Sequence, residues 1–189
     1  MRKKIISKQE ERELIERAKE CDSSAFARLY EYYYQGIYNY IYLRVSDVSQ
    51  AEDLTSEVFM KVLESIDSFT FRGIPFSSWL YRIARNMMVD YYRSHKEPVD
   101  LPLKDEVLPA GKDPSDVFER ELTQQELVRA LSNLTEDQQE VVILRFVEGF
   151  SPSDVAQVLG KSEGAVKSLQ YRGLNSLNRV LGEFFPDGS

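Results

Sequence analysis

Apolar residues recur along the chain at intervals of three and four, and no segment shows clean period-two alternation bounded by hairpin turns, so the pattern predicts an all-α protein. One stripe, Phe26, Leu29, Tyr30, Tyr33, Ile37 and Ile41, begins after the candidate caps Asp22, Ser23 and Ser24. A second helix is predicted from Ala51 to Ile66, with Leu54, Val58, Val62, Leu63 and Ile66 inward and Glu52, Asp53, Glu57, Lys61 and Glu64 largely outward. An acidic outer face of this kind is commonly no more than solvated surface.

The third helix divides more sharply. With Leu80 as origin and about 100° per residue, Ile83, Ala84, Met87 and Tyr91 fall within about 60° of it, while Arg82, Arg85, Asn86 and Arg93 fall between about 140° and 240°. One face is core and the other cationic. Just before it, Phe69 to Trp79 contains Gly73 and Pro75, which require a turn, and Phe71, Phe76 and Trp79, which are not all expected in the core. Aromatics beside arginines suit unpaired nucleic acid, because rings stack on bases and guanidinium groups hold phosphates. A packing loop with snorkelling arginines fits the same residues.

Residues 96 to 115 contain four prolines, carry excess charge and lack an amphipathic period, which predicts a flexible acidic linker. Beyond it, helices are expected from Val117 to Leu134 and from Glu136 to Val147, with Thr135 as cap and Gly149 as stop. Ser151 to Arg172 then form a helix-turn-helix pattern. Val155, Ala156 and Leu159 make an inner face, Gly160 supplies the turn, and Ser162 caps a second helix that returns Val166 and Leu169 to the same core. Lys167, Ser168, Tyr171, Arg172, Asn175 and Arg179 point the opposite way, free to reach a major groove.

The chain has 189 residues, enough for one or two domains with their own cores. Its net charge of -7 argues at first against nucleic acid, but residues 1 to 95 are neutral and -5 lies within residues 96 to 126. No apolar run exceeds four residues, so no membrane span or signal peptide is expected, and Arg2-Lys3-Lys4 reads as a solvated tail. A cytoplasmic protein follows, in keeping with the single cysteine, Cys21. Cys21 and His95 offer no metal-ligand spacing, and there is neither a phosphate-binding loop nor a nucleophile elbow, so no cofactor, metal or catalytic residue is expected.

Three motifs in order, Asp53 to Lys61, Phe76 to Asn86 with Asp90 and Arg93, and Gln138 to Phe146 leading into the helix-turn-helix, resemble extracytoplasmic-function (ECF) sigma factors of bacterial RNA polymerase. The resemblance covers about residues 10 to 95 and 117 to 182. It implies sigma domain two (1–95), a linker (96–116) and sigma domain four (117–189). It implies binding of polymerase core through the clamp helices and β-flap, binding of promoter DNA, and control by an anti-sigma factor. Glu52, Asp53, Leu54, Glu57 and Lys61 would then belong to the polymerase-binding surface. Phe71, Arg72, Phe76, Trp79, Arg82, Arg85, Asn86 and Arg93 would meet the minus-ten element. Ser162, Glu163, Lys167, Ser168, Tyr171 and Arg172 would meet the minus-thirty-five element. The chain departs from the family pattern at Leu169 and Leu174, where many members carry arginine, and at Gly173 inside the helix. A stand-alone helix-turn-helix regulator, an all-α enzyme and a protein-only adaptor are the alternative classes.

Overall fold

The computed structural model describes residues 6–71, 73–94 and 124–184, with side chains throughout except at 124, 125 and 182–184. Regular structure among the described residues is helical: α1 (Lys8–Lys19), α2 (Ser23–Val45), α3 (Val48–Ser65), α4 (Phe76–Ser94), α5 (Gln124–Leu131), α6 (Glu136–Val142), α7 (Pro152–Leu159) and α8 (Glu163–Phe184). The chain divides into two compact units, with the division after Met88 inside α4. Arg72, His95, the predicted linker and residues 117–123 of the helix expected from Val117 lie outside the described residues.

In the first unit, the starts of α1, α2 and α3 are each set by a short polar side chain. Ser7 Oγ accepts from the Glu10 amide at 3.1 Å, Asp22 accepts from Ser24 and Ala25 at 2.9 and 3.2 Å, and Asp47 accepts from Gln50 at 2.8 Å. Of the three candidate caps before α2, Asp22 is the one used. Helix α2 packs against α1 and α3. Leu29, Tyr33, Ile37 and Ile41 are buried as the periodicity predicts, whereas Phe26 is half-buried and Tyr30 is exposed at the edge. Full burial of one such aliphatic side chain contributes about 1.5–3 kcal/mol. Rings carry α4 onto α2, with Tyr33 5.6 Å from Phe76 and Tyr40 5.5 Å from Tyr81.

Two features of this unit differ from the periodic reading. Helix α3 begins at Val48, and Leu63, expected in the core, is 52% exposed, because the side that packs on α2 is filled by Leu54, Val58 and Val62, with Ile66 buried just beyond the helix. On α4 the buried face is Leu80, Tyr81, Ala84 and Met88, while Ile83, Met87 and Tyr91 are half-buried. The core face is therefore rotated by about half a residue step from the expected one. Tyr81 draws it round by packing edge-on against Tyr40.

The second unit gathers α5, α6 and α7 around α8. Thr135 and Gln138 form a reciprocal capping box at the start of α6, and Ser151 and Asp154 form another at α7, where Pro152 occupies the first turn. The predicted Glu136–Val147 helix is α-helical only to Val142 and continues as a π-helical turn, Ile143–Val147, before Gly149 at φ +75°. Arg145, on that turn, donates to Gln170 Oε1 at 3.0 Å and to the Phe150 carbonyl, tying α6 to α8. No helix among the described residues is long and apolar enough to cross a membrane.

Candidate functional site

Three surfaces carry the predicted residues. The first is the segment between α3 and α4 together with α4's outer side. Phe69 is buried and stands edge-on to Phe71 at 4.9 Å and to Phe76 at 5.2 Å, with Trp79 5.3 Å away. Phe76, read from sequence as a base-stacking residue, is 2% exposed and also touches Tyr33. Its ring faces are consumed by the core, so it supports the loop from behind and has no face left for a base. Phe71 and Trp79 are half-buried, Asn86 and Arg93 are exposed, and Arg82 and Arg85 are half-buried. Arg93 lies 3.3 Å from Asp90.

Sequence reading missed two cations at this surface. Arg12 lies 5.0 Å from the centre of the Phe71 ring, and Lys19 lies 5.6 and 5.9 Å from Phe71 and Phe69. Both come from α1, far away in sequence, and nothing local to the loop signals them. The same helix is anchored to α2 by a hydrogen bond from the Tyr33 hydroxyl to Glu11. Burial and the Glu11 charge push the Tyr33 phenol far above its ordinary range, so it remains a donor.

The second surface is the outer side of α3. Glu52, Asp53, Glu57 and Lys61 are all exposed. Lys61 is tied to Glu64 at 3.2 Å, while Glu52, Asp53 and Glu57 form no ion pair among the described residues. Leu54, grouped with them from sequence, is 8% exposed and faces the core, because it falls in the Val58 and Val62 row rather than the carboxylate row. Met60, 61% exposed, and Leu63 stand among the carboxylates instead. A charged surface studded with large apolar side chains is typical of a protein-binding face.

The third surface is α8 in the helix-turn-helix. Val155, Ala156 and Leu159 are buried as predicted, and Gly160 at φ +63° closes α7 in the left-handed region that favours glycine. Ser162 Oγ accepts from the Ala165 amide at 3.2 Å, and Val166 and Leu169 are buried. Ser162, Glu163, Lys167, Ser168, Tyr171 and Arg172 are all exposed, with Tyr171 at 57%. Leu174 is buried and Gly173 faces α6, so the departures from the family pattern at 169, 173 and 174 belong to the packed side of the helix. The charged groups of this outer row are two cations and one carboxylate, and Lys161 at the turn is tied to Asp137 at 3.0 Å.

Comparison with known proteins finds two stretches of the chain that match family models. Residues 29–97 match the model of Sigma-70 region 2, and residues 124–177 match that of Sigma-70, region 4. The ECF RNA polymerase sigma factor BldN of Streptomyces coelicolor is 42% identical over 172 residues, covering 89% of this chain and 65% of its own length. The ECF RNA polymerase sigma factor SigX of Bacillus subtilis is 34% identical over 167 residues, covering 82% of this chain and 83% of its own. Among solved structures, CnrH in complex with the cytosolic domain of CnrY shares the fold, with a TM-score of 0.72, 22% identity, and coverage of 92% of this chain and 98% of that one. The sigma factor RpoE in complex with the anti-sigma factor NepR from Bartonella quintana gives a TM-score of 0.63 at 27% identity, covering 82% and 96%.

Two helical domains, one with an aromatic and cationic loop and one with a helix-turn-helix, define a promoter-recognition protein. The chain belongs to the sigma-70 family and, within it, to the ECF sigma factors. It is a transcription initiation factor that acts with RNA polymerase at specific promoters, and the stand-alone regulator is not favoured.

Proposed function

We propose that the two domains, residues 1–95 and 117–189, divide promoter recognition between them, with the 96–116 linker spanning the polymerase. Glu52, Asp53 and Glu57, with Met60 and Leu63, dock on the clamp helices of the core enzyme, and the second domain engages the β-flap. Phe71, Trp79 and Asn86 form the place where a minus-ten base is held, with Arg82, Arg85 and Arg93 toward the phosphates and Arg72 assigned there from sequence. Extracting a base costs a few kcal/mol, and stacking returns about 1–3 kcal/mol per base, so capture of the opened strand drives melting without a catalytic step by this chain.

Ser162, Glu163, Lys167, Ser168, Tyr171 and Arg172 read the minus-thirty-five element. The observation that carries this reading is the division of α8: that outward row is exposed, whereas Val166, Leu169 and Leu174 are buried. The protein acts in the cytoplasm, where its polymerase is, and is held inactive by an anti-sigma factor. The structurally similar RpoE, solved with NepR, supports the last point. Holoenzyme carrying Lys167→Ala or Arg172→Ala tests the upstream contact. The substitutions weaken promoter binding while leaving dependence on the minus-ten sequence intact, and a variant whose binding still follows the upstream sequence as wild type does removes that residue from the reading helix.

A further inference from the structure

Phe71 is held by a helix that lies far earlier in the chain. Its ring is half-buried, and apart from Phe69, 4.9 Å away, its ring partners among the described residues are two cations of α1. Arg12 stands over the ring at 5.0 Å and Lys19 at 5.6 Å, and Lys19 also lies 5.9 Å from Phe69. Residues 12 and 19 are two helical turns apart and so share one side of α1. A phenyl ring has no hydrogen-bonding group. The direction of Phe71 on its turn, where its carbonyl accepts from the Gly73 amide at 2.9 Å, is therefore set by what touches the ring.

Helix α1 is a firm support for it. Leu14, Ile15 and Ala18 are buried, the Tyr33 hydroxyl donates to Glu11, and Arg28 of α2 pairs with Glu10 at 3.7 Å. The same helix is a poor phosphate rail. Its cations Lys8, Arg12, Arg17 and Lys19 are matched by Glu10, Glu11, Glu13 and Glu16, with Lys19 tied to Glu16 at 3.3 Å and Arg17 to Asp22 at 2.7 Å. Arg12 differs from its neighbours: it is exposed, forms no ion pair among the described residues, and directs its charge at the Phe71 ring. A cation over a ring is attracted by the ring quadrupole, so swinging Phe71 away from α1 is opposed. The ring is held in place before any base arrives, which lowers the ordering cost of stacking on it.

We propose that Arg12 is a positioning residue for minus-ten recognition: it acts through Phe71, holding the ring where an unpaired base stacks, while Lys19 secures the Phe69 side. This deepens the reading of Phe71, Trp79 and Asn86 as the base-holding place and rests on it.

The test is a double-mutant cycle between Arg12 and Phe71 in reconstituted holoenzyme. The open-complex equilibrium on a duplex promoter is read by permanganate reactivity, with its salt dependence, the core-polymerase affinity and the Tm of the chain measured alongside. Arg12→Ala reduces open complex about two- to fivefold, the range of an exposed cation–π contact, with core affinity and Tm unchanged. Arg12→Lys recovers most of the loss. Phe71→Leu reduces opening at least as much, and adding Arg12→Ala to it costs nothing further. An additive loss in the double variant, with a salt slope shallower by about 0.7, is the mark of a single-strand phosphate contact and overturns the proposal. So does a fall in Tm or core affinity that matches the fall in opening. Wild-type opening by Arg12→Ala, with weakened opening by Phe71→Leu, overturns the role of Arg12 and leaves the base-holding reading standing. Wild-type opening by Phe71→Leu overturns both. Should Phe71→Leu fail to fold, the salt slope of Arg12→Ala decides: an unchanged slope supports positioning, and a shallower one overturns it.

Discussion

Gly173 of α8 lies directly against Val142 of α6: a Cβ at position 173 would fall 2.9 Å from Val142 Cγ2 and 3.5 Å from the Gln138 carbonyl oxygen. A glycine inside a helix normally costs about 1 kcal/mol relative to alanine. Here the missing side chain is what lets α8 approach the helix beneath it.

Gly173→Ala is therefore expected to destabilise the second domain. Val142 is fully buried and β-branched, so its methyl cannot swing aside, and overpacking of about 1–3 kcal/mol offsets the gain in helix propensity. Thermal or urea unfolding of the full chain checks it. Adding Val142→Ala recovers part of the loss, while a simple rise in Tm for Gly173→Ala alone contradicts the close crossing.

Asn86 is exposed on α4, on the side away from Leu80, Tyr81 and Ala84. Asn86→Ala is expected to reduce opening of the minus-ten element by the holoenzyme, read by permanganate reactivity of unpaired thymines, with core-polymerase affinity unchanged. The loss of one polar contact in such a site corresponds to about 1–3 kcal/mol, or roughly 5- to 150-fold in open complex. Equal loss of opening and core binding would indicate misfolding and remove Asn86 from the base-holding role.

Asp22 gives a prediction with a pH direction. Its carboxylate is held well below its ordinary value of 3.8, first by the Ser24 hydroxyl, then by Arg17 and the Ala25 amide. A depressed folded pKa means the charged form stabilises the fold at neutral pH, and that contribution is lost progressively as pH falls below about 4. Asp22→Ala should lower Tm at pH 7, and the difference from wild type should shrink toward pH 3. A difference that grows on acidification contradicts the assignment.

The helix-turn-helix was legible because each of its parts is encoded locally. Gly160 marks the left-handed turn, Ser162 the cap, and Val155, Val166 and Leu169 fall on one core at helical spacing. Leu63 was expected inward because periodicity reports a face but not which edge of it a neighbouring helix covers, and the sequence did not say which of Phe71, Phe76 and Trp79 the core takes. Leu63 sits at the open edge of α3, and Phe76 was drawn inward by Phe69 and Tyr33. Arg12 and Lys19 were invisible for a different reason. Their pairing with Phe71 depends on α1 returning to a loop some fifty residues later, a long-range consequence of the packed fold.

Residues 96 to 116, expected from the sequence to be an acidic linker, give a further test. If this connector follows a basic channel of the polymerase, as we propose, reversing its charges impairs initiation while both domains keep their unfolding transitions. Unchanged initiation would count against that path.

The most direct measurement is reconstitution of the purified chain with bacterial core RNA polymerase on a library of genomic fragments, with core alone as control. Discrete new transcription starts that require the chain, sharing one upstream and one minus-ten sequence, are the predicted result. Absence of both a stable complex and new starts, together with specific duplex binding by the chain alone, would contradict it.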